Sequence, residues 1–368
     1  MKYSKLILIF LFAVTLFTYP TLKKEIEVQP GQKLVVEIKA GSDIIIEGWD
    51  KNIVDIDAEI KGRDADDVQL EASKTSYGVF LKAYFVEKKH SNSTNGTVKV
   101  RVPNKFDLDL ETMGGELIVS NVEGTLKGST MGGKLLLKNL KGNISFSTMG
   151  GSVELTDSEV DGKVSTMGGK VLVENVVGDV NASSMGGNVI QRNVKGSKSS
   201  VGKEVNIKTM GGAINVDEAM NGASLNTMGG NITVNKAAEY VKATTMGGDI
   251  EIKEISGWVD ASTMGGDVEV KVKGSDGKRD IKISSMGGDM KLYVPADLDM
   301  DIEIEIVFNE NRRDKVKIIS DFNLTEKIVD ADSDYNNAKK LIGTGITGSG
   351  KNKVKIKTIA GKVHLLKI

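Results

Sequence analysis

The tetrapeptide Thr-Met-Gly-Gly, with Ser replacing Thr in two copies, occurs ten times in this chain of 368 residues. Seven of the nine gaps between successive copies equal the gap from Met113 to Met131, and the two longer gaps each contain one insertion. A fixed period of about 18 residues is typical of a stacked repeat protein. The ten methionines are Met113, Met131, Met149, Met167, Met185, Met210, Met228, Met246, Met264 and Met286.

Each repeat contains two short stretches in which apolar residues alternate with polar ones. After Met167, aliphatic side chains occupy the fourth and sixth positions (Val171 and Val173) and then the thirteenth and fifteenth (Val180 and Ala182). A period of two predicts strands, and no window shows the helical period. We therefore expect an all-β parallel β-solenoid with about 18 residues and two short strands in each coil. One corner of the coil is Met-Gly-Gly, and the other carries Gly at the eleventh position in half of the copies.

The chain divides into four segments on this pattern. Residues 1–22 resemble a leader, 25–110 and 299–368 keep the strand alternation without the tetrapeptide, and 111–298 carry the regular repeat. We expect the two flanking segments to form irregular β caps, since an exposed strand edge templates aggregation. The insertions at 197–203 and 274–278 are rich in Gly, Ser and Lys and should protrude as loops.

The segment 1–22 has the layout of an export signal. Lys2 and Lys5 precede an apolar run of about a dozen residues, which Pro20 interrupts. The run is short for a membrane span, which needs about 20 residues. We expect an exported protein that is periplasmic, at the cell surface or secreted. Cleavage of the leader and its retention as a membrane anchor both remain open, and an uncleaved leader would be the only contact with a membrane.

The corner tetrapeptide has a structural interpretation and a functional one. The hydroxyl row predicts a stacked ladder that stabilises the corner, and a ligand-facing array is the alternative. We expect the methionines to point inward as flexible gap fillers; outward, they would form an apolar stripe suited to binding or assembly. The predicted structural corner residues are Thr112, Met113, Gly114, Gly115, Thr130, Met131, Thr148, Met149, Thr166, Met167, Thr209, Met210, Thr227, Met228, Thr245, Met246, Thr263, Met264 and Met286, with Ser184 and Ser285 completing the hydroxyl row.

Composition argues against several kinds of chemistry. The chain has no cysteine, only two histidines (His90 and His364) and a formal net charge of −1. Too few groups are present for a His-based triad or a multi-His metal site, and no basic block predicts nucleic-acid binding. Acidic and basic residues interleave, as in Glu251, Lys253 and Glu254, which favours a solvated face. We predict no catalytic, cofactor-binding or metal-binding residues.

The chain resembles the bacterial and archaeal family known as "putative adhesins". The resemblance lies in Val-Gln-Pro-Gly at 28–31, Gly-Trp-Asp at 48–50, the Gly-Gly coils, and three closing segments at 319–322, 343–345 and 358–363. It implies a β-solenoid, usually exported or associated with the cell envelope, without established catalytic activity. Family members often carry Ser or Asn where this chain carries Met, so the methionine row is a departure from the family pattern.

These observations together predict a non-enzymatic, adhesin-like protein that presents a repetitive surface. Its partner would be an envelope or extracellular ligand, either protein or glycan. Two alternatives stay open. A carbohydrate-active β-helix enzyme would use carboxylates on one face. The family resemblance also allows a component of an envelope stress-sensing system, which no particular residue of the chain indicates.

Overall fold

The computed structural model of the protein describes residues 19–87, 93–195, 204–331 and 338–368. Strands make up 64% of the chain, and the helical segments within the described residues are two 3₁₀ helices, Ala65–Asp67 and Glu310–Lys315. The predicted all-β class is therefore confirmed, and most of the strands pair in parallel. The apolar run of the predicted leader and the predicted loop at 197–203 lie outside the described residues.

Within the repeat, each strand residue pairs with the residue one period further along the chain. Thr130 pairs with Thr148, and Thr148 pairs with Thr166. Because equivalent strands run in the same direction, the pairing is parallel. We call each repeat a rung. The strands that lead into the tetrapeptide form ladder A, and those that follow its two glycines form ladder B.

Ladder A of the repeat consists of β8 (Asp107–Thr112), β10 (Glu123–Thr130), β12 (Lys141–Thr148), the second half of β13 (Val153–Thr166), β15 (Val180–Ser184), β17 (Val205–Lys208), β19 (Ala223–Asn226), β21 (Tyr240–Thr244), β23 (Trp258–Ser262) and β25 (Ile281–Ser284). Ladder B consists of β9 (Leu117–Ser120), β11 (Leu135–Lys138), the first half of β13, β14 (Val171–Val177), β16 (Val189–Lys195), β18 (Ile214–Ala219), β20 (Ile232–Ala237), β22 (Ile250–Ile255), β24 (Val268–Val272) and β26 (Met290–Val294).

Columns of aliphatic side chains form the core between the ladders. At the fourth position after each tetrapeptide methionine every side chain is at most 1% exposed, although the residue type varies. Burying one such side chain contributes about 1.5–3 kcal/mol, mainly through contacts with neighbouring rungs. The column contains Leu117, Leu135, Val153, Val171, Val189, Ile214, Ile232, Ile250, Val268 and Met290.

At the N-terminal end the spatial order of the strands differs from their order in the chain. The strands are β1 (Thr21–Glu27), β2 (Lys33–Ile38), β3 (Asp43–Trp49), β4 (Ile53–Lys61), β5 (Val68–Thr75), β6 (Gly78–Phe85) and β7 (Asn95–Pro103). β2 lies between β6 and β8, and β3 lies between β7 and β9, all in parallel. β5 then adds to β6, β4 to β7 and β1 to β4, all antiparallel. The first rung of the chain is therefore internal: β6 and β7 cover it in parallel, and the antiparallel strands lie beyond them.

The C-terminal end repeats this device. Its strands are β27 (Met300–Asn309), β28 (Lys317–Ser320), β29 (Thr325–Asp330), β30 (Ala338–Thr347), β31 (Asn352–Ile359) and β32 (Lys362–Lys367). β31 lies between β25 and β27, and β32 lies between β26 and β28. The last rung of the chain is therefore inserted between the two rungs that precede it in sequence. β30 pairs antiparallel with β27, and β29 with β30. At both ends the regular parallel rungs are thus covered by further strands.

Two further features bear on the segment boundaries. β1 begins at Thr21, inside the segment predicted as a leader. The inserted segment 274–278 connects β24 to β25 as a mostly exposed turn with positive φ at Gly274 and Gly277, as expected. Within the described residues, no helix has the length and apolarity needed to cross a membrane.

Candidate functional site: the methionine ridge

The hydroxyl of the tetrapeptide is buried and closes the corner between two rungs. The Oγ1 of Thr148 donates to the carbonyl oxygen of Gly133 in the preceding rung, at 2.8 Å, and accepts from the N–H of Gly151 in its own rung, at 3.3 Å. Ser184 makes the same two bonds, which shows that the hydroxyl and not the methyl group is needed. The ten hydroxyl residues are between 1% and 5% exposed.

The segment Thr-Ile-Ala-Gly at 358–361 is a degenerate copy of the tetrapeptide and repeats this arrangement. Thr358 is fully buried, and its Oγ1 donates to the carbonyl oxygen of Gly288 at 2.8 Å. Gly361 lies against Gly288, as the second glycine of each tetrapeptide lies against the rung before it. Ile359, 37% exposed, occupies the position that methionine holds in the other rungs. The hydroxyl row therefore continues one rung beyond the tenth tetrapeptide.

The second glycine of each tetrapeptide occupies a position that no other residue fits. A Cβ on Gly133 would meet the carbonyl oxygen of Gly115, and one on Gly248 would meet that of Gly230, far closer than real Cβ atoms approach other atoms. The first glycine is less constrained, because a Cβ on Gly247 would have its nearest neighbours at 3.8 Å. Sterics therefore explain the second glycine but only partly explain the first.

The methionines point outward, so the expectation that they fill the interior is wrong. Each of the ten is between 47% and 55% exposed. The reason lies in strand alternation: the Thr or Ser before each methionine has the inward phase, so the next residue faces solvent before the two glycines turn the chain. We call this exposed row the methionine ridge; it comprises Met113, Met131, Met149, Met167, Met185, Met210, Met228, Met246, Met264 and Met286.

Backbone hydrogen bonds place neighbouring ridge methionines on adjacent rungs. The N–H of Met228 donates to the carbonyl oxygen of Met210 at 3.1 Å, and that of Met246 donates to Met228 at 3.1 Å. The same contact joins Met210 to Met185, so the insertion between these two residues leaves the ridge continuous. Parallel strands lie about 4.8 Å apart, which is therefore the spacing of successive methionine backbones.

A shallow groove of about 720 Å³ runs beside the ridge. One wall is formed by six methionines, from Met131 to Met228. The other carries the column two positions before each methionine, which in this stretch is mainly serine: Ser129, Ser147, Ser165 and Ser183, followed by Lys208 and Asn226. The ridge and groove together present thioether groups beside small hydroxyls, with few charges.

Two other outward-facing columns of the same rungs, partly buried in places, vary widely in residue type. The third position after each methionine holds Glu116, Lys134, Ser152, Lys170, Asn188, Ala213, Asn231, Asp249, Asp267 and Asp289. The fifth position holds Ile118, Leu136, Glu154, Leu172, Ile190, Asn215, Thr233, Glu251, Glu269 and Lys291. These columns have diverged among the repeats. The ridge position, in contrast, is exposed and still holds methionine in all ten tetrapeptides.

The opposite corner contains an asparagine ladder that the glycine pattern of the sequence does not reveal. Asn121, Asn139, Asp157, Asn175 and Asn193 have φ between 47° and 62°, the left-handed region. The Nδ2 of Asn139 donates to Oδ1 of Asn121 at 2.7 Å, and that of Asn193 donates to Asn175 at 2.8 Å. Asn and Asp are the residues that best tolerate this conformation besides Gly. Their regular spacing, one period apart, is the signal from which this ladder could have been predicted.

Charged side chains on the faces of the rungs form ion pairs. Lys273 contacts Glu254 at 2.6 Å, and this hydrogen bond lowers the pKa of the Glu254 carboxyl. In the described parts of the chain, no group of three or more His, Cys, Asp or Glu residues could hold a metal ion. His364 lies in β32, opposite Lys291 and Ile319, and His90 lies outside the described residues.

No protein-family model and no curated protein matches the chain. Several solved structures resemble it weakly, and three of them illustrate the likeness. A putative cell adhesion protein from Clostridium sporogenes is 8% identical, with a TM-score of 0.20 over 95% of this chain and 100% of its own. A putative lipid binding protein from Parabacteroides distasonis is 13% identical, with a TM-score of 0.26 over 95% and 96%. A putative adhesin from Bacteroides fragilis is 11% identical, with a TM-score of 0.22 over 95% and 98%.

These neighbours are described as adhesins or binding proteins and not as enzymes. Their sequence identity and TM-scores are too low to transfer a function to this chain. The chain's own surface is therefore the basis for a functional conclusion, and the methionine ridge is an exposed feature of that surface that packing does not explain.

Proposed function

We propose that this protein is an exported, non-enzymatic, adhesin-like β-solenoid and that the methionine ridge is its contact surface. Its partner is an envelope or extracellular molecule, protein or glycan. Residues 111–298 carry the contact surface, while 25–110 and 299–368 act as the end caps. The solenoid interpretation is supported by the parallel pairing of residues one period apart in both ladders.

The observation that carries the proposal is the retention of an exposed methionine in every tetrapeptide. About half of each side chain is open to solvent, so packing places little constraint on the residue type. The columns three and five positions after the methionine show what happens without such a constraint, because they hold acidic, basic, polar and aliphatic residues in turn. A long contiguous apolar surface of this kind is typical of an interaction site. Contact with a partner explains why an exposed apolar residue has been kept at this position in every tetrapeptide.

The binding test compares a ridge variant with a matched control. In the ridge variant, Met149, Met167, Met185, Met210 and Met228 are replaced by Ser. In the control, three half-buried aliphatic side chains away from the ridge are replaced by Ser: Leu136, Leu172 and Ile190. Each purified chain is immobilised, and the retention of components of an envelope fraction is measured. We expect the ridge variant to retain at most about a tenth of what the wild type retains, and the control to retain most of it.

Two outcomes would contradict the proposal. Equal retention by the ridge variant and the wild type would remove the ridge from the contact surface. Turnover of a polysaccharide, abolished by a single carboxylate-to-Ala change, would replace the adhesin-like function with the enzymatic alternative.

Export is tested separately. The chain is expressed from Met1, the cells are fractionated, and the mass of the protein is determined. We expect a product outside the cytoplasm whose N-terminus lies at or just before Thr21, since β1 begins there and pairs with β4. A full-length product in the membrane would establish the anchored alternative, and a full-length product in the cytoplasm would contradict export.

A further inference from the structure

We propose that the methionine ridge binds soft monovalent metal ions. The bound ion is Cu(I), and each ion is held by the thioether sulfurs of methionines on adjacent rungs. The inference rests on the proposed function in one respect: it takes the ridge as the surface that has been retained for binding. It goes further by naming a ligand and the atoms that hold it.

The chemistry of the donor atoms supports this assignment. A thioether sulfur is a soft, uncharged donor, and soft sulfur ligands select Cu(I) over hard cations such as Mg²⁺ or Ca²⁺. The chain contains no cysteine, so a thiolate cannot compete for the ion. His364 pairs with Lys291 in ladder B, at the C-terminal end of the ridge. Along the rest of the ridge, the soft donors among the described residues are the methionines themselves.

The geometry of the rungs matches the size of such a site. Hydrogen bonds from Met210 to Met185, from Met228 to Met210 and from Met246 to Met228 fix these residues on successive rungs. Their backbones therefore repeat at about 4.8 Å. A zinc–sulfur bond is about 2.3 Å long, and with a copper–sulfur bond of similar length two sulfurs on opposite sides of one ion would lie about 4.6 Å apart. Neighbouring flexible methionine side chains can reach this separation without moving the backbone.

The identity of the ridge residue distinguishes metal binding from simple apolar contact. Where the chain needs only an aliphatic side chain, it interchanges residues, as in the core column that holds Leu135, Val153 and Met290 at equivalent positions. On the ridge no tetrapeptide carries Leu, Ile or Val, and Ile359 occurs where the tetrapeptide itself has been lost. An apolar contact surface would accept those residues. Sulfur is the property that methionine has and the aliphatic residues lack.

Two variants with the same number of methionines test the bridging geometry. The alternating variant replaces Met131, Met167, Met210, Met246 and Met286 by Leu, which leaves no two sulfurs on adjacent rungs. The contiguous variant replaces Met113, Met131, Met149, Met167 and Met185 by Leu, which leaves five sulfurs on adjacent rungs. Met-to-Leu changes conserve volume and the side chains are half exposed, so both variants should fold; thermal unfolding checks this.

The full chain is titrated anaerobically with Cu(I) in competition with a chromophoric chelator, and with Ag(I) as the air-stable probe. Two thioethers per ion allow the ten sulfurs of the wild type to hold about five ions. We expect the contiguous variant to hold about two, and the alternating variant to bind at least tenfold more weakly. X-ray absorption of the copper-loaded wild type should show a sulfur shell at a distance close to the roughly 2.3 Å of zinc–sulfur bonds.

Three results would overturn the metal proposal: absence of Cu(I) binding by the wild type, an equal reduction in both variants, or an oxygen and nitrogen shell around the copper. None of these results bears on the proposed contact function, which the Met-to-Ser variant tests with an envelope fraction. Conversely, Cu(I) binding together with unchanged retention of envelope components by the Met-to-Ser variant would remove the contact function and keep the metal site.

Discussion

Both corners of a rung turn the chain, but the residues that do so are more uniform at one corner than at the other. At the tetrapeptide corner, the buried hydroxyl and the second glycine recur in all ten copies. At the opposite corner, five rungs from Asn121 to Asn193 use a left-handed Asn or Asp. Between residues 204 and 331, all of which the structure describes, no non-glycine residue has positive φ, although β18, β20 and β22 there stack in parallel one period apart.

This difference shows that turning the chain does not by itself require one sequence. The left-handed Asn or Asp of the opposite corner is no longer used in the described residues after the insertion that follows Lys195. The two ladders nevertheless continue past this change. At the tetrapeptide corner, specific contacts restrict the hydroxyl and the second glycine, while the half-exposed methionine side chain is not restricted in this way. Uniformity of the first two therefore reflects structure, and uniformity of the methionine calls for another cause.

The largest effect is expected at the second glycine of a tetrapeptide. Gly248→Ala would place a Cβ against the carbonyl oxygen of Gly230 and force two rungs apart, so we expect destabilisation of about 3 kcal/mol or more. Gly247→Ala is the matched control, because its Cβ has space and the unfolded chain loses entropy; the change should be neutral or stabilise by up to about 1 kcal/mol. Urea unfolding measures both. Equal effects would show that sterics do not separate the two glycines.

The next effect is expected at the hydroxyl row. Thr227→Val keeps the shape of the side chain but leaves the carbonyl oxygen of Gly212 and the N–H of Gly230 without this partner, so we expect a loss of about 1–3 kcal/mol. Thr227→Ser keeps both bonds and removes one buried methyl group, at a cost of about 0.8 kcal/mol. Unfolding midpoints of the two variants should differ in that order. If Thr227→Val proved as stable as Thr227→Ser, the hydroxyl row would stabilise the corner through packing and not through hydrogen bonds.

A smaller effect is expected at the opposite corner. It should differ between the N-terminal and the C-terminal half of the repeat region. Asn139→Ala places Ala in the left-handed region and removes the bond to Asn121, so we expect a loss of about 1–2 kcal/mol. Asn235 makes a similar side-chain bond to Asp217 without positive φ, and Asn235→Ala should cost only about 0.5 kcal/mol. Asn139→Gly, which relieves the backbone, should lie between them in urea unfolding. Equal losses at Asn139 and Asn235 would argue that the two halves share one corner geometry.

Much of the fold follows from periodicity alone. A fixed period with strand alternation predicts that equivalent residues pair, as Leu135 and Val153 do, and that their side chains form columns. The order of the end rungs does not follow from the pattern, because insertion of β31 between β25 and β27 depends on contacts between residues far apart in the chain, such as Ile281 and Val354. The wound arrangement of a solenoid stays a proposal, supported by these registers.

The candidate site is harder to derive from sequence. Hydrophobicity favours placing a methionine inside, and the correct orientation depends on which residue of the corner takes the inward phase. The buried hydroxyl of Thr148 decides this, because it leaves the outward phase to Met149. Continued from the thirteenth and fifteenth positions, the strand alternation does place the hydroxyl residue in the inward phase, but a small polar residue is uncommon there and hydrophobicity alone favours the opposite orientation. The hydrogen bonds to Gly133 and Gly151 that make its burial favourable are visible only in the structure.

The smallest effect on stability, and the most informative, is expected at the ridge. Met167 is 47% exposed, so Met167→Leu should change the free energy of unfolding by less than about 0.5 kcal/mol. The same should hold for Leu172→Met, the matched change in the variable column that lies five positions further on. A loss above about 1.5 kcal/mol at Met167 alone, measured by urea unfolding, exceeds what a volume-conserving change costs even in a core and would mean that the methionine is retained for packing. Its uniformity would then have the same structural cause as that of Thr166 and Gly169, and the argument for a binding ridge would lose its main observation.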